Sequence, residues 1–410
     1  MTSQRLERIL SSELDIMAES GTLKGRETVI AGVVPARGDR GPRYLIAGEG
    51  DRPFLRMNSN GYLGMSLRPE IIDAEATAAH EFGAGPGAVR FISGTWAPHI
   101  ELERRLAAFH GREAAMAFSS AYATVMGILP TLISPETAVI SDELNHNCII
   151  NAVRLARPRE RYIYPHLDMA ALQNRLETAA KTCRRAIVVT DGIFSMRGDH
   201  APLQTIVDLA RKVDPAFAEG VLVVVDDSHG VGAFGMTGRG TEEVTRCGKV
   251  DVLVGTLGKA FGVNGGYVAT SATIVRYLRE KAPFYVYSNP ITPGEAAAAA
   301  RAIEIVDGPA GRSLLEHLRQ MTARFSRGLV ELGFEIIAGE HPIVPLMVRD
   351  NARTAALVAH LRANGILATG INYPVVPEGA EEIRFQISAD HTAADIDEAL
   401  RVLAASRGNP

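Results

Sequence analysis

Two apolar runs, Val221-Leu222-Val223-Val224-Val225 and Val252-Leu253-Val254-Gly255, constrain the fold more than any other stretch of this chain. Each is rich in β-branched residues and too short for a buried helix, so both read as buried strands. The first stops at Asp226-Asp227-Ser228-His229-Gly230 and the second at Thr256-Leu257-Gly258-Lys259-Ala260-Phe261-Gly262. In open parallel sheets, ligands sit beyond the carboxyl ends of the strands. An acid and an imidazole after one strand can therefore meet a hydroxyl and an amine after the next.

That set suits pyridoxal 5'-phosphate (PLP), which needs a lysine amine for its aldehyde, a carboxylate to keep its ring nitrogen protonated, and donors around its phosphate. Lys259, Asp226, Thr256 and His229 supply those groups. Taken singly, an acid at a strand end often begins a turn, and a lysine is usually a solvated surface group. Lys259 stands apart because it lies among Gly255, Gly258, Gly262, Gly265 and Gly266, as expected where backbone approaches another group closely. A second phosphate-binding element is Ser119-Ser120-Ala121-Tyr122-Ala123-Thr124. Small and hydroxyl residues there open a helix after the strand Ala114 to Phe118 and leave backbone N–H groups free for an anion.

The stretches Asp226-Asp227-Ser228-His229, Gly238-Arg239-Gly240, Gly255-Thr256-Leu257-Gly258-Lys259 and Gly265-Gly266-Tyr267 resemble the α-oxoamine synthase family of fold-type I PLP enzymes. That family includes glycine C-acetyltransferase, 8-amino-7-oxononanoate synthase, 5-aminolevulinate synthase and serine palmitoyltransferase. The resemblance runs from about Leu23 to Leu400. It implies PLP as cofactor and the condensation of an amino acid with an acyl-CoA, or an acyl-carrier protein, to an α-aminoketone. A PLP aminotransferase would use the same lysine and aspartate in another reaction class.

The resemblance also implies roles for individual residues. Lys259 binds the cofactor and removes the substrate α-proton, Asp226 holds the ring proton, His229 bonds the phenolic oxygen and His146 stacks on the ring. Ser195 lies near the phenolic oxygen and Asp191 is structural. Ser120, Ala121, Tyr122 and Thr256 belong to the cofactor site. Ser288 reaches the phosphate in a partner subunit, which makes the protein a homodimer with a shared site. Asn60, in Asn58-Ser59-Asn60-Gly61-Tyr62-Leu63-Gly64, orients the amino acid, and Arg384 clamps its carboxylate, for which a planar guanidinium is suited. Arg197 stands where relatives carry an acid, and Gly61 where they carry an acid or amide.

Composition narrows the remaining classes. At 410 residues with 46% hydrophobic and 22% charged, the chain has the make-up of a globular protein with a large and a smaller domain. The net charge of −4 and the lack of a basic patch argue against nucleic acid as the main partner. Cys148, Cys183 and Cys247 are too scattered for a disulfide framework or a zinc site and read as reduced thiols, which suggests the cytoplasm. No apolar run approaches the roughly 18 residues of a membrane span. Residues 1–21 show no targeting segment, because Glu7, Glu13, Asp15 and Glu19 interrupt them.

The chain divides into an N-terminal helix and connecting segment at 1–56, a large PLP-binding domain at 57–294 and a smaller α+β domain at 295–410. Leu6, Ile9, Leu10, Leu14 and Met17 form one helical face, expected to pack on the body or on a second subunit. Gly83-Ala84-Gly85-Pro86-Gly87 mimics a dinucleotide fingerprint, but the residues before it, 70–82, read as helix rather than strand. His99 and Glu103 share a helical face without a third ligand, and helix packing is expected of them rather than metal binding. Strands separated by helices from Ser119 to Gly266 predict an α/β fold with a mostly parallel sheet. Val268 to Arg279 reads as helix, as does the alanine-rich 295–306, and Thr392 with Asp395 forms a capping box.

Substrate choice rests on short stretches. Lys24-Gly25-Arg26-Glu27 and Val89-Arg90-Phe91-Ile92-Ser93-Gly94-Thr95 resemble glycine C-acetyltransferase, which implies glycine and a short acyl group. The segment Lys259 to Tyr267 instead has the length seen in oxononanoate and aminolevulinate synthases, which implies a different amino acid or a longer acyl donor.

Overall fold

A computed structural model describes residues 3–20, 22–23, 27–373 and 375–407. The Lys24-Gly25-Arg26 part of the first acetyltransferase-like stretch lies outside the described residues.

The central sheet has seven strands: β1 (Ala114–Phe118), β2 (Thr137–Asp142), β3 (Glu160–Tyr164), β4 (Arg185–Asp191), β5 (Val221–Asp226), β6 (Val252–Thr256) and β7 (Gly266–Thr270). Their order is β1-β7-β6-β5-β4-β2-β3. All neighbours from β6 to β3 are parallel, while β7 runs antiparallel to both β1 and β6. The two apolar runs singled out in the sequence thus lie side by side at the centre. Their unbroken hydrophobicity follows from burial on both faces. Val223, Val225 and Leu253 face one core cluster, while Val224, Val252 and Val254 face the other.

The sheet corrects one expectation. Residues 268–270 do not begin a helix: they complete β7, and the helix starts only at Ala272, capped by Ser271. The β-branched Val268 and Thr270 suit a fully buried strand. The short connection from Thr256 to Gly266 leaves no room for a crossover, so the strand must return antiparallel. Gly266 has a steric reason too, because a Cβ there would lie 2.3 Å from the backbone nitrogen of Ala121.

The alanine-rich helix, Pro293–Asp307, opens with a Thr292/Glu295 capping box and buries most of its length. It packs on the helices Pro69–Phe82 and Ala97–Phe109. In the latter, His99 Nδ1 accepts from the Trp96 amide at 3.0 Å and His99 Nε2 donates to the Ile291 carbonyl at 2.8 Å, which is helix packing as expected.

Beyond residue 308 a second sheet is antiparallel throughout, in the order Glu335–Ile336, Ile343–Met347, Glu382–Gln386, Thr369–Ile371. The expected Thr392/Asp395 capping box starts the last helix, Ala393–Ser406. The early strands are tied to this part of the chain: Pro53–Arg56 pairs in parallel with Ile366–Leu367, and Arg43 is bridged to Asp395 at 2.7 Å. The N-terminal helix, Ser3–Glu19, buries none of its residues, so its apolar face does not pack on the body of its own subunit.

Candidate active site

The carboxyl ends of β2, β4, β5 and β6 open on one cavity. Its walls are Ala121 and Tyr122, His146 and Cys148, Asp191, Ile193 and Ser195, Asp226, Ser228 and His229, and Lys259. Strand alternation decides between the two adjacent acids at the end of β5, since successive side chains point to opposite faces. Asp226 points into the cavity. Asp227 points away, taking the Thr241 amide at 2.7 Å and its hydroxyl at 2.6 Å, and so pins the loop that follows.

Asp226 is a carboxylate with open valences. One oxygen accepts from the Ser228 amide at 3.1 Å and the other receives only the Cys148 thiol, at 3.7 Å. Among the described residues it has no ion-pair partner within bonding distance, although it is 8% exposed. Burial lowers the Lys259 amine and the nearby Asp226 and Asp191 carboxylates pull it back, leaving it at about 8. Buried charges demand partners. A cationic ring nitrogen would answer Asp226 and an aldehyde would answer Lys259, so this cavity fits PLP.

His146 caps the helix Asn147–Ala156, its Nδ1 accepting from the Cys148 amide at 3.2 Å with the Cys148 sulfur at 2.9 Å. The ring is thereby held at the cavity wall, and burial lowers its basicity against the pull of Asp226. Asp191 has one oxygen accepting from the His146 amide at 3.1 Å and the other left without a partner. Burial first, then the charge of Asp226, raises its carboxyl well above the usual range. His229 is bonded through Nδ1 to the Tyr62 hydroxyl at 2.7 Å. Burial and then the Lys259 charge hold its ring well below the usual histidine range.

Ser120 caps the helix Ala121–Leu132, accepting from the Ala123 amide at 3.0 Å, and this helix N-terminus faces the cavity through Ala121 and Tyr122. The Thr256 hydroxyl is already engaged, donating to Gly265 O and accepting from the Gly258 amide, both at 3.2 Å. Arg384 donates to the Ser195 carbonyl at 2.8 Å. With the Gln386 amide oxygen turned toward it, Arg384 also donates to Gln386 at 2.6 and 2.7 Å. A guanidinium from the second sheet thus lies beside Ser195, which lines the cavity. Asn60 Oδ1 lies 3.4 Å from the Tyr62 hydroxyl. Ser288 follows the short helix Pro283–Val286, outside this cavity's lining, and its hydroxyl reaches only the Asn289 carbonyl.

Three residues of the site were not singled out for it in the sequence. Cys148 joins His146 to Asp226, and its only signal was its place two residues after the histidine. Tyr62 sits inside the Asn60 motif. Glu382, 3% exposed with an unpartnered oxygen, shares a strand face with Arg384. Burial raises it to about 7 against the pull of Arg384.

The aminotransferase class I and II family model matches residues 52–403. Human mitochondrial 2-amino-3-ketobutyrate coenzyme A ligase is 39% identical over 395 residues, covering 96% of this chain and 90% of the relative. The 8-amino-7-oxononanoate synthase 1 of Bacillus velezensis is 38% identical over 396 residues, covering 96% of each. The chain belongs to the α-oxoamine synthases. A solved α-oxoamine synthase, the serine palmitoyltransferase of Sphingomonas wittichii, superposes with a TM-score of 0.85 at 27% identity, over 98% of this chain and 97% of that one. A high-resolution serine palmitoyltransferase structure containing PLP superposes with a TM-score of 0.84 at 27% identity, covering 97% and 96%. Like its family, this α-oxoamine synthase has the fold-type I architecture, uses PLP and is an acyltransferase that condenses an amino acid with an acyl group.

Proposed function

We propose that this α-oxoamine synthase joins glycine to a short acyl-CoA, acetyl-CoA being the simplest donor, and releases CoA. The resemblance of Val89 to Thr95 to glycine C-acetyltransferase supports this choice. The observation that carries the chemistry is the meeting of the Lys259 amine, at about 8, with the open Asp226 carboxylate in one buried cavity below Arg384.

When bound, PLP supplies an electron sink for the carbanion at the substrate α-carbon. Arg384 grips the substrate carboxylate and Asn60 orients the amino acid. Lys259 Nζ takes the α-proton, since an amine near 8 is partly unprotonated at neutral pH. Asp226 would hold the proton of the ring nitrogen, His146 would lie against the ring, and His229 and Ser195 would serve the phenolic oxygen. Ser120, Ala121, Tyr122 and Thr256 would hold the phosphate.

The enzyme works in the cytoplasm as a homodimer in which Ser288 of each subunit reaches the other's phosphate. Supporting this are the half-buried Ser288 beside the exposed Tyr287 and the lack of burial along the N-terminal helix. Mixing Lys259→Ala with Ser288→Asp subunits should restore activity toward one working site per dimer, because both lesions then fall in one site. No recovery despite verified subunit exchange refutes the shared site.

Substrate choice is tested by adding single amino acids to the PLP-loaded enzyme, then acyl-CoAs of rising length, and following absorbance and CoA thiol release. The highest kcat/KM is expected for glycine with acetyl-CoA. A higher value for L-alanine or L-serine with a long-chain acyl-CoA overturns it, and keto-acid formation without CoA release indicates transamination.

A further inference from the structure

His229, in the loop after β5, is positioned by two residues from distant segments. Its Nδ1 meets the hydroxyl of Tyr62, at 2.7 Å, and its carbonyl oxygen accepts from His341 Nε2, at 2.9 Å. Both partners are buried, Tyr62 at 0% and His341 at 1% exposure, and their rings stand edge to face at 5.3 Å. Tyr62 comes from the segment after Pro53–Arg56 and His341 from the approach to the strand Ile343–Met347.

The hydrogen bonds fix the tautomers in turn. The Ile343 amide donates to His341 Nδ1 at 3.2 Å, so in the neutral ring the proton of His341 is on Nε2, where it donates to the His229 carbonyl. Burial of the His229 ring, then the charges of Lys259, His341 and Arg384, disfavour its protonated form. The ring is therefore neutral and carries one proton. The Tyr62 phenol, buried so that it keeps its proton, has one O–H to give. Its two acceptors are His229 Nδ1 at 2.7 Å and Asn60 Oδ1 at 3.4 Å, and only the first is a hydrogen bond of ordinary length. The proton of His229 must then sit on Nε2, which has no protein partner among the described residues, in a side chain that lines the cavity.

We infer that Tyr62 is a positioning residue that makes His229 an Nε2–H donor toward the cavity, with His341 anchoring the backbone of the same residue. The tautomer of a histidine is set by the bond its other nitrogen makes. A hydroxyl donating to Nδ1 turns His229 into a neutral donor whose proton is available to an oxygen in the cavity. Without that hydroxyl, Nδ1–H and Nε2–H forms compete and the donor is present only part of the time. The inference rests on the proposed contact of His229 with the cofactor's phenolic oxygen.

Tyr62→Phe keeps the ring packed against His341 and deletes the hydroxyl alone. With PLP bound, the pH midpoint of the cofactor's absorbance should move by about half a unit or more, and kcat should fall about five- to tenfold with KM for the amino acid little changed. In a His229→Asn background the same substitution should move neither quantity further. An unchanged midpoint and kcat in Tyr62→Phe, or an equal shift in the His229→Asn background, overturns the inference. A second measurement needs no cofactor: in 15N-histidine-labelled protein, His229 should show an unprotonated Nδ1 and a protonated Nε2, and should lose that pattern in Tyr62→Phe. The opposite tautomer in the unaltered protein overturns the role of Tyr62. If His229→Asn leaves the cofactor's absorbance untouched while the nitrogen pattern is as expected, the role of His229 toward PLP fails and that of Tyr62 toward His229 stands.

Discussion

Two buried charge clusters in this protein carry opposite meanings. In the first, Glu103 receives Arg90 at 3.1 and 3.2 Å, Arg279 at 2.7 Å and the Ala117 amide at 3.0 Å. Every valence of the carboxylate is used, and the cluster ties three helical segments to β1. In the second, Asp226 takes one amide and a distant thiol, while Asp191 and Ser228 beside it each have an oxygen without a partner. Both regions desolvate charge, which costs several kcal/mol per ion unless partners compensate. The first is compensated from within the chain and is structural. The second is compensated only when something else enters, and that marks it as a site.

The sharpest way to break the comparison is to remove the amine. Lys259→Ala should lower turnover by about 10^2–10^4-fold for the lost proton transfer alone, and more for the lost link to PLP. Borohydride reduction should leave no covalent cofactor. A reducible link at the active site of that variant would mean another lysine holds PLP.

Matched substitutions of the two acids should separate by stability. Glu103→Gln strands two arginines and should cost about 3–5 kcal/mol, read as a fall in the urea midpoint. Asp226→Asn removes a carboxylate that has little compensation, so the PLP-free protein should be as stable as the parent or more so, while PLP affinity falls at least about tenfold. Equal destabilisation by both would erase the distinction.

His166 offers a smaller, intermediate case. Its ring meets Asp142 at 3.0 Å and Asp199 at 3.3 Å, and these bonds outweigh burial to raise it to about 9. A base raised on folding stabilises fully below its unfolded value near 6.5 and loses that contribution as pH rises through about 9. The urea midpoint should therefore decline between pH 6.5 and 9.5, and His166→Gln should flatten that decline. An identical slope in the variant would show that the clamp does not titrate there.

The sequence by itself was enough for the parallel core and for the residues at its strand ends. Burial on both faces writes itself as unbroken β-branched runs, and a cofactor needs specific groups after them, so Lys259, Asp226 and His229 could be picked out after Val221 to Val225 and Val252 to Gly255, whereas His146 was picked out only by family resemblance. It misread the end of β7, because Val268 to Thr270 is strand only by virtue of its place between β1 and β6. Tertiary structure alone decided what the neighbouring acid does: Asp227, on the opposite face of the pleat, turns from the cavity and pins the following loop through Thr241. It also decided that Tyr62 and His341, 167 and 112 residues from His229, would converge on it. Such contacts leave no local pattern, because the energy of a hydrogen bond depends on a few ångströms in space and not on separation along the chain.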